Sequence, residues 1–150
     1  MSFSNEDRIS QIDRVKGRVT LELGSIVSVD LSNRTISDAL LGYLKGLSTL
    51  RELYLGGTEV SDLGLTYLEG LENLTWLELS DTKITDVGLR RIALLTQLKS
   101  LFLYGCDITD AGVASLKELI NLEELGVDDT RITHDGISQL RVSLPNARID

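Results

Sequence analysis

The sequence predicts a right-handed α/β solenoid, with a parallel β-sheet on its concave face, short α-helices on its convex face and a helix-and-hairpin cap at the amino end. Three observations predict it. Leucine fills 29 of 150 positions, while proline and methionine occur once each. Cutting the chain at Leu50, Leu74, Leu98 and Leu122 gives 24-residue segments that share the pattern L-x-x-L-x-[LV]-x-x-[TC]-x-[VI]-[ST]-x-x-G-[LVI]-x-x-[LI]. Within each segment the apolar spacing changes from steps of two to steps of three, the change from strand to helix. One strand and one helix cannot enclose a core alone, but stacked coils can.

The elements follow in order. Residues 1–25 read as a cap over leucines that the first coil would otherwise expose. Ser4-Asn5-Glu6-Asp7 offers a capping-box start. Ile9, Ile12 and Val15 line one face and Gly17 is a stop signal, so a helix is expected over about residues 5–15. Val19, Leu21 and Leu23 alternate with polar residues, which predicts a strand over about 18–23 and a turn at Gly24-Ser25. A strict two-residue turn there would pair Leu21 with Ser28 and set it on the solvent side of Val29, so a longer or bulged turn is expected. Five repeats then occupy 26–145, the first degenerate, with Leu40 in the glycine slot. Residues 146–150 hold a strand stub around Ile149, leaving a thin cap and an open sheet edge. All of this is one structural domain.

Inside a repeat, L-x-x-L-x-L sets its second and third leucines on one face of a strand. The Ser or Thr before D-x-G stands where an N-cap belongs, and Asp62, Asp86 and Asp110 complement the helix dipole. Leu65, Leu68 and Leu71, like Leu89, Ile92 and Leu95, mark the buried stripe of a helix of about two to three turns. Gly64, Gly88, Gly112 and Gly136 mark a close approach to the neighbouring coil.

These motifs resemble the leucine-rich repeat family over residues 26–150. The I-T-D-x-G-L segment, and the ninth position held by Cys106, with Thr58, Thr82, Thr130 and Arg34 replacing it elsewhere, resemble its cysteine-containing class, shortened to 24 residues. Such arrays are common in bacterial proteins as well as in eukaryotic ubiquitin-ligase receptors. The latter function is not carried over, because the 25 residues ahead of the array are too few for an F-box. The resemblance implies a protein-binding role.

Composition narrows the function classes. A net charge of −8 disfavours nucleic acid and anionic membrane surfaces. No apolar run approaches the roughly 20 residues of a membrane-spanning helix, so the chain is expected to be soluble. The amino terminus has neither a basic leader nor an apolar core, which places the expectation in the cytoplasm. One cysteine and one histidine support neither a disulfide nor a zinc site, and no cofactor or metal is expected. Catalysis is not expected either. His134 takes the slot held elsewhere by the helix-start aspartates and reads as an exposed, inert side chain; Cys106 reads as buried and structural.

The outward strand positions carry the functional expectation. One ladder reads Ser28, Glu52, Trp76, Ser100, Glu124, Arg148; the next reads Asp30, Tyr54, Glu78, Phe102, Gly126, Asp150; a third reads Ser32, Gly56, Ser80, Tyr104, Asp128. Four of seven aromatics, Tyr54, Trp76, Phe102 and Tyr104, thus cluster on a wet surface where folding does not require them. Such a patch marks a protein interface, or else cross-strand pairing that only stabilises the sheet. The expected site is these four aromatics with Glu52, Glu78, Glu124 and Asp128 around them, and the expected partner is a protein with a basic patch. Two alternatives stay open: an inhibitor or immunity factor occluding a basic enzyme, as acidic ribonuclease inhibitors of the resembled family do, and a structural subunit that self-associates weakly through its C-terminal edge.

Overall fold

The computed structural model describes residues 3–150. It opens with helix α1 (Asn5–Arg14). Ser4 Oγ accepts from the Asp7 amide at 3.1 Å and the Asp7 carboxylate accepts from the Ser4 amide at 3.1 Å, a complete capping box. Arg8 is buried and ties α1 to the first coil. Its guanidinium donates to the carbonyls of Phe3 and Lys45, each at 3.2 Å, and to that of Tyr43, so the buried donors are satisfied by backbone instead of a carboxylate. Past the helix, the left-handed residue is Lys16, with φ 58°, and not Gly17. Gly17 is small for another reason, since a Cβ there would overlap Ile12 and Leu31.

Strands β1 (Arg18–Glu22) and β2 (Ser25–Asp30) form an antiparallel hairpin. Its turn lies one residue earlier than the sequence suggested, at Leu23 and Gly24, both with positive φ. The register then shifts, because Leu21 pairs with Ile26 and Thr20 with Ser28, leaving Val27 as a bulge. The bulge keeps Val19 opposite Val29 and lets the consecutive residues Ile26 and Val27 both be buried. Leu21 and Leu23, by contrast, lie in solvent at 50% and 107% exposure.

Five further strands stack in parallel on this hairpin: β3 (Glu52–Tyr54), β4 (Trp76–Glu78), β5 (Ser100–Phe102), β6 (Glu124–Gly126) and β7 (Arg148–Ile149). They make one seven-stranded sheet in sequence order, and register partners from β2 onward are 24 residues apart. The opposite side is built from α2 (Asp38–Leu41), α3 (Asp86–Ile92), α4 (Val113–Leu116), α5 (His134–Ser143) and three 3-10 segments, Gly42–Leu44, Gly64–Leu68 and Asp110–Gly112. The leucine ladders, such as Leu53, Leu77, Leu101 and Leu125, fill the space between as one continuous cluster.

The second coil has no α-helix where one was expected. The first two coils carry Gly46 and Gly70, with φ 71° and 82°, where the third and fourth carry Leu94 and Glu118. Lys45 and Glu69 before those glycines are extended, with ψ 128° and 131°, so the chain leaves the helix through a type II turn. At Ala93 the backbone stays helical and α3 runs on.

The helix-start aspartates do more than complement a dipole. Each carboxylate reaches the Ser or Thr that precedes the D-x-G position of the next coil, an N-cap at Thr85, Thr109 and Thr133. Asp38 accepts from the Ser61 amide and hydroxyl at 2.8 and 2.6 Å, Asp62 from Thr85 at 2.9 and 2.6 Å, Asp86 from Thr109 at 2.9 and 2.6 Å, and Asp110 from Thr133 at 2.8 and 2.7 Å. A Cβ on Gly64, Gly88, Gly112 or Gly136 would overlap the oxygen of the aspartate one coil earlier, which is why this slot is glycine. Leu40 receives no such aspartate, and His134 has no receiving coil among the described residues.

Candidate functional site

The period-two alternation of the short strands sends every second side chain away from the leucine core, onto the open side of the sheet. Register sets Glu52 beside Trp76 and Tyr54 beside Glu78, then Trp76 beside Ser100 and Glu78 beside Phe102. The rings nonetheless meet across the ladders. Ring centroids are 6.0 Å apart for Tyr54 and Trp76, 5.1 Å for Trp76 and Phe102, and 5.9 Å for Phe102 and Tyr104, at tilts of 33° to 47°. The four form one continuous arc over β3 to β5 and the loop after β5, each half-buried by its neighbours. Tyr104 lies over Gly126, where a Cβ would strike its ring. The buried Trp76 indole N–H has no hydrogen-bond partner among the described residues.

The carboxylates do not form a simple rim. Glu52 and Asp128 are exposed, Glu124 is half-buried, and Glu78 sits inside the arc between Tyr54 and Phe102. Its Oε1 accepts from the Ser80 amide at 2.7 Å, and its other oxygen lies against Gly56, where any Cβ would displace it. Neither contact was anticipated from the sequence, although Gly56 in a ladder of larger residues was the available signal. Burial, then the Glu52 carboxylate, raises the Tyr54 phenol above its ordinary value. Burial, then Asp150 and Asp128, does the same to Tyr104. At Asp30 burial acts upward, but the Ser32 amide and Arg18 outweigh it and hold the carboxyl below its ordinary range.

Two comparisons bear on what this array is. A family model described as leucine rich repeat matches residues 48–108. Among solved structures, an internalin from Listeria monocytogenes superposes on 82% of the chain at 27% identity and a TM-score of 0.68. The fold is that of a leucine-rich repeat solenoid. A leucine-rich repeat protein of Leptospira interrogans covers 73% of it at 27% identity and a TM-score of 0.56. The ectodomain of the Arabidopsis thaliana receptor kinase SOBIR1 covers 99% at 18% identity and 0.55, a likeness of fold alone. The chain spans 34% of the internalin and 27% of the Leptospira protein. No curated protein matches the sequence.

Leucine-rich repeat proteins are typically non-enzymatic binding modules. His134 is exposed at the start of α5. Cys106 is buried, its Sγ 3.2 Å from the Leu79 carbonyl and 3.5 Å from Thr82 Oγ1, and burial pushes its thiol up. Among the described residues no three His, Cys, Asp or Glu side chains stand close enough to hold a metal ion. A groove runs where the second and third coils meet at the strand-start edge, but Glu72 is the only acid or base along it.

Proposed function

We propose that the chain is a non-catalytic protein-binding module that engages a partner through the concave side of its sheet. Tyr54, Trp76, Phe102 and Tyr104 serve as apolar anchors, and Glu52, Glu78, Glu124 and Asp128 select a partner with a basic patch. The single observation that carries this reading is the unbroken arc of four rings on the solvent side of the sheet. A leucine core closes without them, and aromatic side chains dominate the energetics of protein interfaces. The fold supports it, since leucine-rich repeats point generally to protein–protein interaction. We assign the repeat to the cysteine-containing class, in which Cys106 reaches the carbonyl of the preceding coil while Thr58, Thr82 and Thr130 each bond a carbonyl of their own.

Affinity capture from native lysate tests the reading with the wild type and a Tyr54→Ala/Trp76→Ala/Phe102→Ala variant. A partner held by the wild type and lost by the variant supports the face; one held equally by both removes it. Light scattering separates the self-association alternative, which requires a stable dimer.

A further inference from the structure

Four bases border the open side of the sheet, and each already has an acidic partner. Arg18 pairs with Asp30 at 2.6 Å, Arg51 with Glu22 at 2.8 Å, Lys99 with Glu123 at 2.8 Å and Arg148 with Asp150 at 2.9 Å. Glu52, Glu78 and Glu124 pair with no cation among the described residues. Each nevertheless has one oxygen taken by a neutral neighbour. Glu52 Oε2 accepts from the Tyr54 hydroxyl at 3.3 Å, Glu78 Oε1 from the Ser80 amide at 2.7 Å and Glu124 Oε2 from the Ser100 hydroxyl at 3.3 Å. The second oxygen of each has no donor among the described residues. Glu52 and Glu78 are therefore oriented but not neutralised, while Glu124 is oriented and also feels the Arg148 guanidinium beside it in register.

Three of the four rings stand in the same two ladders, with Glu52 beside Trp76 and Glu78 between Tyr54 and Phe102. A group that satisfies rings and carboxylates together must be cationic, flat enough to lie on a ring, and able to donate several hydrogen bonds from its edge. Guanidinium meets all three requirements. An ammonium is a strongly hydrated point charge with no planar edge.

We propose that the concave face binds an arginine-bearing segment of its protein partner, its guanidinium groups stacking on the Trp76 and Phe102 rings and donating to the free oxygens of Glu52, Glu78 and Glu124. This rests on the reading of that face as the binding surface. It adds the chemistry of the anchor and its preference for arginine over lysine.

Trp76 is the only tryptophan, so its emission reports the site without a label. The full chain is titrated with short tryptophan-free peptides of alternating arginine and glycine, lysine and glycine, or glutamine and glycine. The expected result is a saturable change with the arginine peptide, roughly tenfold weaker binding of the lysine peptide and no response to the glutamine peptide. Glu52→Gln/Glu78→Gln/Glu124→Gln loses the arginine response, and Glu52→Gln alone weakens it should the triple variant fail to fold. Equal binding of arginine and lysine peptides overturns the proposal, as does an arginine response that survives the glutamine substitutions or is absent from the wild type. If the arginine peptide fails while capture of the native partner still depends on Tyr54, Trp76 and Phe102, the binding face stands and only the arginine assignment falls.

Discussion

Gly88 shows how one residue holds two coils together. A methyl group there would meet Asp62 Oδ1 and the Leu65 side chain, and Asp62 has no freedom to retreat because Thr85 binds both of its oxygens. Gly88→Ala should destabilise the chain by about 1–3 kcal/mol, the usual cost of overpacking, as read from urea unfolding. Adding Asp62→Ala should remove part of that penalty, so additive costs would contradict the contact. Asp110 makes the same bridge to Thr133, and those bonds to its ionised form hold its pKa below 3.8. The unfolded chain then binds more protons than the folded one across the interval just below that value. The bridge's contribution is complete above the unfolded pKa and lost as pH falls through the folded one. The urea midpoint should fall between about pH 5 and about pH 3, and less steeply in Asp110→Asn. Identical slopes would exclude the bridge as the cause.

At the scale of elements, the sequence pattern and the folded chain agree best where a residue's environment repeats. Register partners 24 apart follow from the leucine period, and the outward ladders with them. Agreement weakens where backbone conformation decides. The hairpin turn moved by one residue because Leu23 takes a positive φ beside Gly24, and the non-glycine Leu23 carried no signal of that. Gly46 and Gly70 were visible as glycines, but two apolar steps of three around them read as helix. The structure spends both on a type II turn. Nothing lies within 4 Å of where a Gly70 Cβ would be, so Gly70→Ala tests conformation alone. It should cost about 1–2 kcal/mol through the left-handed φ, and a neutral result in urea unfolding would reject that explanation. In the candidate site, the positions of the rings were readable from alternation. Their diagonal packing and the placement of Glu78 against Gly56 depend on rotamers that alternation does not specify.

Over the whole molecule there is no central core, only a leucine cluster extended coil by coil, so the open side of the sheet is free to vary without loss of the fold. Its three aromatic pairs add roughly 0.5–1.5 kcal/mol each to the folded state, while the leucine core closes without them. A binding role for that face predicts a large and localised effect of removing them. The most direct measurement is the affinity of the captured partner for the wild type, for Tyr54→Ala/Trp76→Ala/Phe102→Ala, and for a helix-side control at the exposed Arg90 of α3, Arg90→Ala, with thermal melts confirming that all three fold. The account predicts binding weakened roughly a hundredfold or more by the aromatic substitutions and unchanged in the control. Affinity retained by the aromatic variant, or lost only in the helix-side control, would contradict it.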